Sequence, residues 1–194
     1  MCKGHAGIPF FDGLATTIAT EQTALDDANE KFRNGDYTFV EPTNAEVFRT
    51  KPCFADLVGK AVPERKVLSD LQALQQATNW VAVFSKLAET ADAGFTNKPP
   101  FRELAAWAEG ERDKRQKQLD VLLLAVERKF DLWKRSTQWG DEEYNFFGTS
   151  IPQLESEYKS YGWLEGDRKN RLDVMKKNHK IRAAIKSVSR NPGK

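Results

Sequence analysis

Apolar residues recur at three- and four-residue steps in block after block of this chain, the period of helix faces, and no long alternating stretch competes as a strand. Behind Asp12, which is suited to capping, Leu14, Ile18, Leu25, Ala28 and Phe32 mark a first helix that "NGD" at 34–36 stops. From Tyr37 to Pro63 the pattern breaks on Pro42, Pro52 and Pro63, which predicts a connector with short helices near 44–49 and 54–60. Pro63 then stands where a helix tolerates proline in its first turn, and Glu64 complements the helix dipole. A second helix is expected from there to about Asp92, with apolar residues on two sides and hence two neighbours.

A third helix opens near Pro100 with Phe101, Leu104, Ala105, Trp107 and Ala108. The next ten positions, Glu109 to Gln118, hold no apolar residue, and then Leu119, Leu123, Val126, Phe130 and Trp133 follow at steps of four, three, four and three. That is a heptad seam made for packing on another helix. We read 100–138 as one helix roughly 58 Å long at about 1.5 Å per residue, since the alternative, a break at Gly110, rests on a residue costing only about 1 kcal/mol in a helix. "WGDEEYNFFGTS" at 139–150 reads as an acidic, aromatic loop, and Ser150 with Gln153 as a capping box for a short helix that Gly162 ends. A last helix should run from Gly166 to about Arg190. The expected fold is all-α and extended, with one long, partly solvent-exposed central helix and short connecting helices. Its expected parts are a body over 1–164, including the connector 37–63, and a basic amphipathic C-terminal helix over 165–194.

Charge changes the picture at that boundary. From Glu165 to Lys194 there are ten Lys and Arg against three acids, a net of +7, whereas the rest of the chain has 20 basic and 25 acidic residues, a net of −5. On a helical projection Val174, Ile181, Ile185 and Val188 form an apolar stripe with Ala184 beside it and Leu172 and Met175 widening its start, while Arg168, Lys169, Lys176, Lys180, Lys186 and Arg190 occupy the complementary side, with Lys177 and Arg182 nearer the flanks. The stripe is expected to pack, and the basic side to face an anion or a partner. Four acidic neighbours fit: the chain's own segment Asp141 to Glu157, a nucleic acid, an anionic membrane surface, and an acidic surface of another subunit.

Candidate chemistry adds little. The two histidines are His5 and His179, the latter flanked by Lys177 and Lys180, whose charge is expected to repel a metal ion, so a surface role is expected for it. Cys2 with His5, and Cys53 with His179, are too scattered for a zinc site, and two cysteines do not make a disulfide framework. Phosphate-binding loops, dinucleotide fingerprints, nucleophile elbows and zinc-protease helices are absent from the sequence. No catalytic residue, cofactor or metal is therefore expected. The longest uncharged apolar run, Val121 to Val126, is far short of the roughly 20 residues of a membrane-spanning helix, and a reducing intracellular compartment is expected.

Together these features predict a non-catalytic structural or assembly subunit of a large multi-protein complex. Soluble accessory or stalk subunits of energy-converting membrane complexes are one home for such a pattern. The alternative is a nucleic-acid-binding component, ribosomal or nucleoprotein, working through 168–194.

Overall fold

The computed structural model describes residues 9–41, 51–136 and 140–190, and for Pro9, Phe11, Cys53, Ser189 and Arg190 the backbone alone. The helix expected near 44–49, the Cys2 and His5 pair, Trp139 and the side chain of Arg190 lie outside what is described. The described residues form six α-helices: α1 (Pro9–Asn34), α2 (Pro52–Gln76), α3 (Trp80–Glu89), α4 (Pro99–Arg135), α5 (Asp141–Ser160) and α6 (Gly166–Arg190). Three short 3-10 turns, Thr38–Val40, Ala91–Ala93 and Phe95–Asn97, complete them, and no strand occurs among the described residues. The all-α class and the long central helix are as the sequence predicts, with α4 running 37 residues through Gly110.

Contacts divide the chain between Arg112 and Asp113 rather than at 164, giving units Met1–Arg112 and Asp113–Lys194. In the first, α1 ends where the sequence said, in a Schellman cap: Gly35 N–H donates to the Phe32 carbonyl at 3.1 Å and Asp36 N–H to Lys31 at 2.9 Å. Gly35 sits at φ +74°, and a Cβ there would lie 2.8 Å from Pro100 Cδ, so both the backbone and the approach of α4 demand glycine. The core gathers Phe54, Leu57, Ala61 and Leu71 of α2 with Phe101, Leu104 and Ala108 of α4. A polar node is built into it. Glu64 accepts from Tyr37 Oη at 2.7 Å and from Lys98 Nζ at 2.5 Å, while that ammonium lies 3.3 Å from the Phe32 ring centroid. Burial, then the bond to Glu64, pushes the Tyr37 phenol above its usual range.

Two expectations fail in this unit. Pro63 does not open a helix: α2 begins eleven residues earlier with Pro52 in its first turn and carries Pro63 inside. An interior proline removes one hydrogen bond and presses its ring on the carbonyl four residues upstream. That upstream residue is Gly59, the residue type with the most backbone freedom to yield. The second failure is the unbroken helix to Asp92. α2 closes at Gln76 in another Schellman pattern, Thr78 N–H to Gln75 O at 2.9 Å and Asn79 N–H to Leu74 O at 2.9 Å. Here the left-handed position is held by Thr78, at φ 53°, not by glycine. Asn79 then caps α3, its side-chain oxygen accepting from Ala82 N–H at 3.1 Å.

In the second unit the predicted seam is buried: Leu119, Leu123, Val126, Phe130 and Trp133 of α4 meet Phe147, Ile151, Leu154 and Tyr158 of α5 and Leu172 and Met175 of α6. Segment 141–150 is helix, not loop, and Ser150 lies inside α5 rather than capping it. Asp141, Glu142 and Glu143 stand in the first turn of α5, where carboxylates complement the helix dipole. Pro152 is again interior, and again the residue four upstream, Gly148, is a glycine. The turn to α6 is the expected one, with Gly162 at φ 70° and Trp163 N–H donating to the Tyr158 carbonyl at 2.8 Å.

Candidate interaction surface

The placement of α6 divides the expected apolar stripe, burying Leu172 and Met175 at its start and leaving Val174, Ile181, Ile185 and Val188 outward. Its inward side buries Leu172 and Met175, and around them basic side chains meet acids of α4 and α5. Arg168 grips Asp120 with both arms of its fork, Nε to Oδ1 at 2.7 Å and Nη2 to Oδ2 at 2.8 Å, while Tyr158 Oη donates to the same carboxylate at 2.8 Å. The Arg168 bonds, aided by Tyr158 and opposed by burial, hold the Asp120 carboxyl below its usual range. Burial and the nearby Asp120 push the Tyr158 phenol up. One turn on, Arg171 makes a second forked pair with Glu127, Nε to Oε1 at 3.1 Å. Lys176 reaches both oxygens of Glu155 at 2.8 Å, and Lys186 pairs with Asp141.

Farther along, Arg182 donates to the Trp133 carbonyl at 2.7 Å and to that of Lys134, both in the last turn of α4, and the Trp133 carbonyl also accepts from Ser136 N–H at 3.2 Å. Its guanidinium lies 4.5 Å from the Trp133 ring centroid. His179 is not a surface residue. It is half-buried and stacked on Tyr144 at 4.4 Å, with Nε2 3.0 Å from the Tyr144 carbonyl, so Nε2 carries the proton. Gly148 of α5 lies against the same ring, where a Cβ would stand 3.5 Å from the imidazole, an ordinary contact.

The apolar stripe faces the other way. Val174, Ile181, Ile185 and Val188 are 58%, 49%, 48% and 69% exposed, where packing was expected. The cause is geometric. At about 100° per residue these four project opposite Leu172 and Met175, and a helix seated by that pair and two forked arginines cannot also bury its far side. Of the predicted basic residues, Arg168, Lys176 and Lys186 are thus engaged within the chain, whereas Lys169 and Lys180, with Lys177, are exposed. The acceptors Asp120 and Glu127 went unnoticed in the sequence, although their seven-residue spacing places them on one line of α4 beside the seam.

Among the described residues no group of three or more His, Cys, Asp or Glu is placed to hold a metal ion, and no helix is long and apolar enough to cross a membrane. Comparison with protein-family models, curated proteins and solved structures finds no match to this chain in any of the three.

Proposed function

We propose that this chain is a non-catalytic structural or assembly subunit of a multi-protein complex. The observation that carries the reading is the stripe on α6: four β-branched residues aligned over nearly four helical turns and about half exposed or more. Covering an apolar side chain of this kind gains about 1.5–3 kcal/mol from full exposure, so each half-exposed one leaves on the order of 1 kcal/mol unused. Contiguous apolar surface of this sort marks interaction sites. The pairing of Arg168, Arg171, Lys176 and Lys186 with carboxylates favours a protein partner over phosphates, because those cations already have their counter-charge.

The test is the size at which the native protein runs. Sedimentation of a gentle extract from its source is expected to place the chain in a particle far heavier than its own 22.0 kDa, at moderate salt and after nuclease treatment. Migration as a single chain, or collapse of the particle on nuclease treatment, would overturn the reading.

A further inference from the structure

The outward side of α6 carries more than apolarity. Val174, Ile181 and Val188 stand seven residues apart, with Ala184 on the adjoining line and Ile185 widening the stripe. This is a heptad of β-branched residues at one core position, the arrangement that two-stranded helix pairing prefers. Along one border run Lys169, Lys177 and Lys180, all exposed, against the single acid Asp173. The opposite border presents Asn178 and the already paired Arg171.

We propose that this side of α6 receives an amphipathic helix of a different protein, whose own apolar stripe is bordered by carboxylates. The inference rests on the subunit reading and adds the chemistry of the partner. The length fits: residues 174–188 span roughly 21 Å at about 1.5 Å per residue, three to four turns of an opposing helix. Border charges choose the partner in helix pairs, and here they disfavour a second copy. A copy would bring another lysine border or a border of Arg171 and Asn178, with only Asp173 to answer either. Lipid is a poorer fit than a helix, because the stripe is built of Val, Ile and Ala with none of the Trp or Phe that seat a helix in a headgroup layer.

The experiment titrates the full chain with a labelled synthetic peptide of about three heptads, Leu at the core positions and Glu at both borders, and with a twin carrying Lys at the borders. The acidic peptide is expected to bind at least about tenfold more tightly than its twin. An Ile181→Gln/Ile185→Gln chain should lose at least about tenfold of that affinity while residues 119–133 and 147–158 keep their slow amide exchange, and Lys177→Glu/Lys180→Glu should abolish the preference between peptides. Equal binding of both peptides, or of neither, overturns the proposal. So does self-association of the chain that the double glutamine variant abolishes, or attachment to phosphatidylserine vesicles through these residues without peptide binding. Failure here leaves the subunit reading intact if the native particle persists, whereas loss of the particle with peptide binding retained defeats that reading instead.

Discussion

Replacing Leu172 by Ala and, separately, Ile181 by Ala sets the two faces of α6 against each other. Leu172 is 1% exposed, within the cluster formed by the seam of α4 and the aromatic side of α5. Its truncation removes buried methyl groups and leaves a cavity that helices fixed by Arg168 and Arg171 cannot easily close, a loss of about 3 kcal/mol within the usual 2–5 for such changes. Ile181 is 49% exposed, so at most about half of a full burial term of roughly 2 kcal/mol is at stake. Alanine returns about 0.4 kcal/mol of helix propensity over a β-branched residue, leaving a net loss of about 0.5 kcal/mol. Because the chain has two units, one melting curve is not a two-state quantity. Native-state amide hydrogen exchange, read on peptides covering 119–133 and 147–158, reports on the second unit alone. Exchange through unit opening should accelerate about a hundredfold in Leu172→Ala and less than about threefold in Ile181→Ala, at about 1.4 kcal/mol per tenfold. A loss above about 2 kcal/mol at Ile181, or below about 1 at Leu172, would refute the seating of α6 described above.

Thr78→Gly should stabilise the first unit by up to about 1 kcal/mol, because it removes the left-handed strain of a side chain at φ 53°; faster native-state amide exchange in peptides of the first unit would contradict the cap. Gly35→Ala should destabilise the same unit by more than about 1 kcal/mol, since strain at φ +74° adds to the contact with Pro100 Cδ, and urea titration by circular dichroism measures it. Asp120→Asn should cost about 1.5–3 kcal/mol at neutral pH through the charged hydrogen bonds to Arg168. A carboxyl held low in the folded state stabilises above its unfolded pKa of about 3.9 and loses that contribution as pH falls through the folded value. The gap between wild type and variant should therefore narrow as stability measurements move below about pH 4.

How far the sequence revealed this fold depended on whether a local signal agreed with the tertiary outcome. The seam on α4 was legible because its period is long and its residues bulky, and all five seam residues are buried. The α1 and α5 ends were legible because glycine stands at both left-handed caps. The break at Thr78 was hidden because a threonine occupies a position that glycine usually marks. Pro63 misled for the opposite reason: it looked like punctuation, yet packing holds the helix through it where a glycine lies four residues before. The orientation of α6 could not be read from its own residues. Its stripe satisfies the rule that the apolar side packs inward, but Leu172 and Met175, together with acceptors on α4 44 to 49 positions from their donors, leave its other four residues outward, with Asp120, Glu127 and the Trp133 carbonyl as those acceptors. Pairings at such separations leave no periodic trace. The candidate surface was therefore located in the sequence on the right helix, with the start of its stripe packed as expected and the other four stripe residues turned outward.

Hydroxyl-radical footprinting of Val174, Ile181, Ile185 and Val188, performed on the isolated full chain and on the native particle, tests the central claim most directly. All four should be strongly oxidised in the isolated chain and protected in the particle, with weak oxidation of Leu172 and Met175 in both samples. Protection of the stripe already in the isolated chain would contradict the seating of α6, and undiminished oxidation in the particle would contradict its role as the surface that a partner covers.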